Sequence, residues 1–311
     1  MKYFVTGGAG FIGSILVQKL LDANHQVTVY DNLSSGKLQP IPFKNNKNFK
    51  FIRGDILNKK KLSISMKNSS FIFHLAANPD VRKGEHYNDL DFNVNSKGTL
   101  NVLKSMKKNK IKNLCFISTS TIYGIASQIP TKEDYGPLLP ISLYGASKLA
   151  SEAFISAYSE MFDIKSWIFR LANITGPTTT HGIVFDFAKK LQKNKKTLEV
   201  LGNGKQKKSY LTAEMVCDAM IFVIKKTQKQ KSKIHLYNIG NSDSISVKDI
   251  ATTFIKKKKL TSKISFTGGI GGWKGDVPKM ELSINKLRKL GWKPKLTSKQ
   301  CIESSIDGID L

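Results

Sequence analysis

The sequence predicts an α/β fold, a doubly wound parallel sheet followed by a smaller C-terminal substrate-binding portion, and three observations predict it. Short apolar runs alternate with amphipathic segments through the first half, the rhythm of a parallel sheet covered by helices. A glycine-rich turn, Thr6-Gly7-Gly8-Ala9-Gly10-Phe11-Ile12-Gly13, joins the first run to the first amphipathic segment. After Gly176-Pro177 the rhythm changes to longer, less regular segments with glycine-rich loops.

Strands are expected at residues 3–6, 26–30, 49–53, 71–75, 113–118 and 165–171, where apolar and β-branched residues cluster. Between them, residues 12–23, 94–108 and 143–161 carry apolar side chains at helical spacing. The expected division is a dinucleotide-binding domain over residues 1–173 and a substrate-binding portion over 174–311, with some segments after 205 returning to the first sheet.

The chain has 311 residues, 40% of them hydrophobic and 9% aromatic, enough for a sizeable core. Its 50 Lys and Arg against 23 Asp and Glu give a formal charge of +27. Such a balance raises nucleic acid as a partner, but only Arg53, Arg82, Arg170 and Arg288 are arginines. Phosphate backbones are usually gripped by the planar guanidinium fork. The lysine runs at 59–61, 107–108, 225–226 and 256–259 are spread along the whole length, with no aromatic-interleaved basic ribbon. A solvated surface and no nucleic-acid partner are expected. Cys115, Cys217 and Cys301 lie far apart, so no disulfide framework and no metal site is expected. No signal-like apolar core opens the chain, and no apolar stretch reaches the roughly 18 residues of a membrane span. A cytoplasmic protein without a membrane partner is expected.

In the glycine turn, Gly7, Gly10 and Gly13 are the spaced positions. Glycine there lets a pyrophosphate approach the backbone, and the N-terminus of the following helix favours the phosphate charge. Asp31 closes the second strand 18 residues beyond Gly13, where a carboxylate accepts hydrogen bonds from an adenosine ribose and repels a 2'-phosphate. NAD is therefore favoured over NADP. Tyr144 and Lys148 are four residues apart, so on a helix the phenol and ammonium share one face. A phenol that acts as a base near neutral pH needs its pKa lowered by about three units, roughly 4 kcal/mol, which Lys148 and a cationic nicotinamide are expected to supply. A third group is a hydroxyl at the end of the strand before Tyr123, and spacing alone leaves Ser118, Thr119, Ser120 and Thr121 open.

Together these motifs resemble the extended short-chain dehydrogenase/reductase group, in particular its NAD-dependent nucleotide-sugar epimerases and dehydratases of the UDP-glucose 4-epimerase type. The resemblance runs through the glycine turn, Asp31-Asn32-Leu33, Gly54-Asp55-Ile56, His74-Leu75-Ala76-Ala77, Asn95 with Gly98-Thr99, Tyr123-Gly124 and Tyr144 to Lys148. It continues through Arg170 to Pro177, Leu201-Gly202-Asn203-Gly204 and Gly275-Asp276-Val277. It implies a Rossmann fold and a cofactor site formed by Gly7, Gly10, Phe11, Ile12, Gly13, Asp31, Asn32, Asp55, Ile56, Ala76, Ala77, Asn95, Tyr144 and Lys148. Asp55 and Ile56 would flank the adenine, and Lys148 would hold the nicotinamide ribose.

Thr119, four residues before Tyr123, matches the catalytic hydroxyl of the family, beside Tyr144 and Lys148. On the substrate side, Asn173 matches a diphosphate ligand and Leu201 a position beside the uracil. Lys208 and Trp273-Lys274 stand where relatives carry diphosphate-binding arginines, so point charges at Lys208 and Lys274 would replace two forks. Family dehydratases carry Asp-Glu directly after the catalytic hydroxyl, whereas Ser120-Thr121 follow here. The resemblance therefore implies an NAD-dependent 4-epimerase of a UDP-sugar, expected to interconvert UDP-glucose and UDP-galactose through a 4-keto intermediate. UDP-N-acetylglucosamine and UDP-glucuronate are alternatives, and pocket size near Met280 bears on an N-acetyl group. A non-catalytic, RNA-associated NAD-binding protein is the reading from another class, and the intact Tyr144–Lys148 pair stands against it. A homodimer joined through residues 94–108 and 143–161 is also implied.

Overall fold

Strand β1, Lys2–Thr6, runs through the middle of the sheet in the computed structural model, which describes residues 1–34, 45–79, 88–179, 181–273 and 275–311. The other sheet strands are β2 (Gln26–Asp31), β3 (Phe49–Arg53), β4 (Phe71–His74), β5 (Asn113–Thr119), β6 (Lys165–Leu171) and β11 (Ile234–Ile239). Their order is β3-β2-β1-β4-β5-β6-β11, and each neighbouring pair is parallel. The chain reverses its direction of travel across the sheet between β1 and β4. The carboxyl ends of those strands diverge there into a crevice, the place where doubly wound sheets take ligands.

The core is a direct consequence of strand alternation. Val5, Phe73, Trp167 and Phe169 face one hydrophobic layer, where helices α1 (Phe11–Asp22) and α6 (Ala213–Thr227) contribute Leu16, Val17, Met220 and Val223. Their neighbours Phe4, Ile72 and Ile168 face the opposite layer with Val102, Leu103 and Met106 of helix α3 (Gly98–Lys108) and Ile155 of helix α4 (Leu143–Phe162). Both faces are covered, so the strands read as near-continuous apolar runs.

The six expected sheet strands form, and β11 joins them as a seventh. Ile234 and Leu236 of β11 remain half-buried because the strand closes the sheet edge and has a neighbour on one side. The helix expected over 94–108 is regular only from Gly98. It is preceded by a turn at Asn88–Asp91 and a wider π-turn at Phe92–Lys97 that buries Asn95 and Ser96.

The remaining chain builds small sheets apart from the main one. Strand β7 (Asn173–Thr175) pairs with β10 (Tyr210–Thr212), and β8 (Thr197–Val200) with β13 (Lys263–Phe266). Strand β9 (Lys207–Lys208) lies between β12 (Ile245–Ser246) and β14 (Lys279–Met280). The lysine runs at 59–61, 107–108 and 225–226 are exposed, as are Lys256, Lys257 and Lys259, whereas Lys258 is half-buried.

Candidate active site

The glycine turn folds onto the end of β4. A Cβ added to Gly7, whose φ is +70°, would lie 2.5 Å from the backbone nitrogen of Ala76, and one added to Gly13 would lie 2.2 Å from the Gly7 carbonyl oxygen. Only glycine allows this approach. Gly10 is the N-cap of α1 and supplies no side-chain hydrogen bond, and the first turn of the helix holds no acidic residue. The helix N-terminus thus presents backbone N–H groups and positive dipole to an anion.

Asp31 stands beside this turn, where its carboxylate accepts from the N–H of Ala9 at 3.0 Å and of Leu33 at 2.8 Å. The Asn32 amide donates to Asp55 at 2.9 Å. Ala76 and Ala77 are half-buried after β4, and the Ala76 N–H donates to the Thr6 hydroxyl at 3.3 Å. Ile56 differs from its companions. Its side chain is buried, packing where a Cβ on Gly98 would lie 2.4 Å from its Cδ1, so what it offers a ligand at the crevice is backbone.

Beneath the crevice floor, His74 accepts and donates between the Thr6 hydroxyl at 2.7 Å and the Thr99 hydroxyl at 3.0 Å. Burial, reinforced by the charge of Lys148, pushes its pKa down to about 3, so this ring is neutral. The Asn95 amide donates to the Ser147 hydroxyl at 2.9 Å, and its oxygen accepts from the Asn78 N–H at 2.9 Å. The wide π-turn therefore fastens to α4, the helix that carries the candidate catalytic pair.

That helix starts at Ser142, whose hydroxyl accepts from the Gly145 N–H at 3.1 Å. Tyr144 in its first turn and Lys148 one turn further in face the end of β5. Thr119 is the hydroxyl that acts on the Tyr144 phenol, lowering its pKa, and its own hydroxyl is bonded to that of Thr121 at 3.1 Å. Ser118 instead points away, to Glu152. Among the hydroxyls that spacing left open, Thr119 is the one that acts on Tyr144.

Lys148 is 2% exposed; its ammonium donates to the Ile117 carbonyl at 2.9 Å and lies 4.7 Å from the Phe116 ring centre. Burial pulls its pKa down to about 8 against the opposing pull of Glu152 and Asp91. Tyr144 behaves contrary to expectation. Burial pushes its pKa up to about 12, the Thr119 hydroxyl lowers it, and Asp91 raises it further. The chain's own groups leave the phenol protonated at neutral pH.

On the other wall, Asn173 begins β7 and its amide donates to the Ser209 carbonyl at 3.3 Å. Lys208 lies beside Ser209, and its ammonium pairs with Asp276 at 2.5 Å, with the Trp273 ring centre 5.0 Å away. The second Asp276 oxygen accepts from the Gly272 N–H at 2.9 Å. Asp276 is the middle residue of the Gly275-Asp276-Val277 motif, and its part in holding Lys208 shows only in the fold. Leu201 is half-buried against Gly272, where an added Cβ would come within 3.6 Å of its own. Gly275 reaches back to Ile141 and Ser142, at the start of α4. Lys274 lies outside the described residues.

The pattern of the NAD dependent epimerase/dehydratase family matches residues 3–240. The chain belongs to this family. A UDP-galactose 4-epimerase crystal structure superposes with a TM-score of 0.89 at 35% identity, covering 99% of this chain and 98% of that one. The UDP-glucuronic acid 4-epimerase of Bacillus cereus, in complex with UDP-glucuronic acid and NAD, superposes with a TM-score of 0.87 at 28% identity, covering 99% and 98%. The UDP-glucose 4-epimerase of Mycolicibacterium smegmatis is 27% identical over 99% of this chain and 98% of its own.

As a family member the protein is an NAD-dependent enzyme of the epimerase type, and the crevice fits that cofactor. The space against Gly7, Gly10 and Gly13 that a Cβ would fill, with an uncapped helix N-terminus behind it, suits a pyrophosphate. The Asp31 carboxylate beside it suits a ribose diol. Among the described residues no group of His, Cys, Asp and Glu is placed to hold a metal ion.

Proposed function

We propose that this epimerase interconverts UDP-glucose and UDP-galactose by removing and restoring hydrogen at C4 of the sugar. The observation that carries the reading is the buried Lys148 ammonium, one turn beyond Tyr144 on α4 and bonded at 2.9 Å to the Ile117 carbonyl, two residues before Thr119. Bound NAD supplies the hydride acceptor and donor, and its cationic ring favours the phenolate.

Thr119 orients the sugar 4-hydroxyl toward Tyr144, whose phenolate takes the proton as the 4-keto sugar forms. Lys148 keeps positive charge behind the phenolate and holds the nicotinamide ribose hydroxyls. Tyr144 returns the proton to O4 after the ketone has presented its other face. Asn173 and Lys208 hold the diphosphate, Lys208 exchanging Asp276 for phosphate oxygens, and Leu201 packs beside the base; Lys274 is proposed as the second cation. A second acid and base, needed for loss of water from the sugar, is missing at Ser120 and Thr121, which supports epimerisation over dehydration.

Purified protein supplied in turn with UDP-glucose, UDP-glucuronate and UDP-N-acetylglucosamine is expected to form the C4 epimer of UDP-glucose fastest. Faster epimerisation of either alternative would reassign the substrate, and no epimer from any of them would overturn the reading.

Phe92 and Met161, 60% and 70% exposed, and Phe154 lie on adjoining segments around α4, which supports a homodimer through that face. No helix among the described residues is long and apolar enough to cross a membrane, in keeping with a cytoplasmic location. A nucleic-acid partner is not part of the proposal.

A further inference from the structure

Glu152 lies one turn beyond Lys148 and two beyond Tyr144 on the same face of α4. It is 7% exposed, and its carboxylate receives Nη2 of Arg170 at 2.7 Å and Nε at 3.1 and 3.2 Å. Arg170, 4% exposed, projects from β6. The Ser118 hydroxyl also donates to Glu152, and Ser118 is both the residue before Thr119 and the register partner of Arg170. The remaining Arg170 nitrogen donates to the Tyr123 hydroxyl and to the Glu133 carbonyl, each at 2.9 Å. Tyr123 in turn donates to Asn238 at 2.8 Å.

A buried ion pair is weak support for stability, because desolvation consumes most of the Coulombic gain and an apolar pair of similar volume often serves as well. The place of this pair is more informative than its strength. It ties the helix that carries Tyr144 and Lys148 to the strand that carries Thr119. The groups facing Lys148 are Tyr144 and Glu152 from α4, Asp91 from the turn before α3, neutral His74 from β4, and the Ile117 carbonyl and Phe116 ring from β5. Glu152 is the largest of the influences that oppose the desolvation of Lys148.

We propose that Glu152 and Arg170 are positioning residues for the epimerase reaction: Arg170 and Ser118 hold the Glu152 carboxylate one turn beyond Lys148, and this tether fixes the helix that carries Tyr144 and Lys148 against the strand that carries Thr119. The proposal rests on the preceding assignment of the proton step to Tyr144, Thr119 and Lys148.

The test uses NAD-loaded protein labelled with 13C-lysine, in which the Lys148 Cε signal is identified by its loss in Lys148→Met. Glu152→Gln removes the charge while keeping the shape. Glu152→Gln combined with Arg170→Met leaves no uncompensated cation, and Glu152→Asp restores the charge. In both Gln variants the Lys148 titration midpoint is expected to fall by about half a pH unit or more. kcat is expected to fall about tenfold or more while KM stays within about twofold. The high-pH limb of kcat should move down with the midpoint, and Glu152→Asp should recover most of both. A folded double variant with an unmoved midpoint and wild-type kcat overturns the proposal. The midpoint reads the effect of Glu152 whichever sugar is used, so failure of the substrate assignment shows separately, as a wild-type enzyme without turnover.

Discussion

Tyr144 does its work through one oxygen, so Tyr144→Phe is expected to reduce kcat by about 10²-fold or more. Its thermal midpoint should stay near that of the parent, and near-normal epimer formation in this variant would sink the assignment. Gly13→Ala acts through space alone. The new methyl meets the Gly7 carbonyl at 2.2 Å, so NAD binding by fluorescence titration is expected to weaken and stability to fall by about 1–3 kcal/mol. His74 gives a signed pH prediction. Its folded pKa of about 3 lies below the ordinary imidazole value of 6.5, so between those values the unfolded chain binds a proton that the native state refuses. Stability is lost as pH falls through that window, by up to about 1.4 kcal/mol per unit. Urea unfolding at pH 7, 6 and 5 is expected to show a shallower decline for His74→Gln. The glycines and the Tyr144–Lys148 pair were legible as residues because each carries a fixed spacing. Glu152 was not, since its meaning depends on Arg170 and Ser118, which arrive from strands distant in sequence.

At the scale of elements, α4 is the one on which the site turns. Ser142→Ala removes its N-cap and is expected to cost about 0.5–2 kcal/mol in denaturant unfolding, with a drop in kcat because Tyr144 lies in the first turn. The strands of the first half were readable because both faces are covered, which turns each into a compact apolar run. Strand β11 was not singled out, since its Ile-His-Leu-Tyr-Asn-Ile alternates and lies at an edge. The π-turn at Phe92–Lys97 was hidden for another reason. Its extra backbone width answers to the hydrogen bond between Asn95 and Ser147, a tertiary contact that helical periodicity does not record.

At the scale of the molecule, the +27 charge and the substrate wall are linked through the scarcity of arginine. Lys208 already has a carboxylate partner in Asp276, whose side chain is 3% exposed. Lys208→Ala is expected to raise KM about tenfold or more through loss of a charge-assisted contact, and to lower the thermal midpoint because Asp276 keeps its burial without its cation. A raised KM with an unchanged midpoint would show that the ion pair is not formed in solution. The identity of Asp276 as that partner was beyond the sequence, because residues 208 and 276 meet only when β9 and β14 pair.

The position of β11 also bears on how the enzyme comes into being. During synthesis β6 emerges with one side of its backbone unsatisfied, and the strand that covers it is made only when residues 234–239 leave the ribosome. Until then Trp167 lacks the His235 ring it stacks on, and Tyr123 lacks Asn238. A nascent chain halted before that point bears an open sheet edge, the kind of surface that chaperones shield and that pairs wrongly with its neighbours. The catalytic groups, all encoded before residue 149, therefore wait for a strand translated much later before their surroundings are complete.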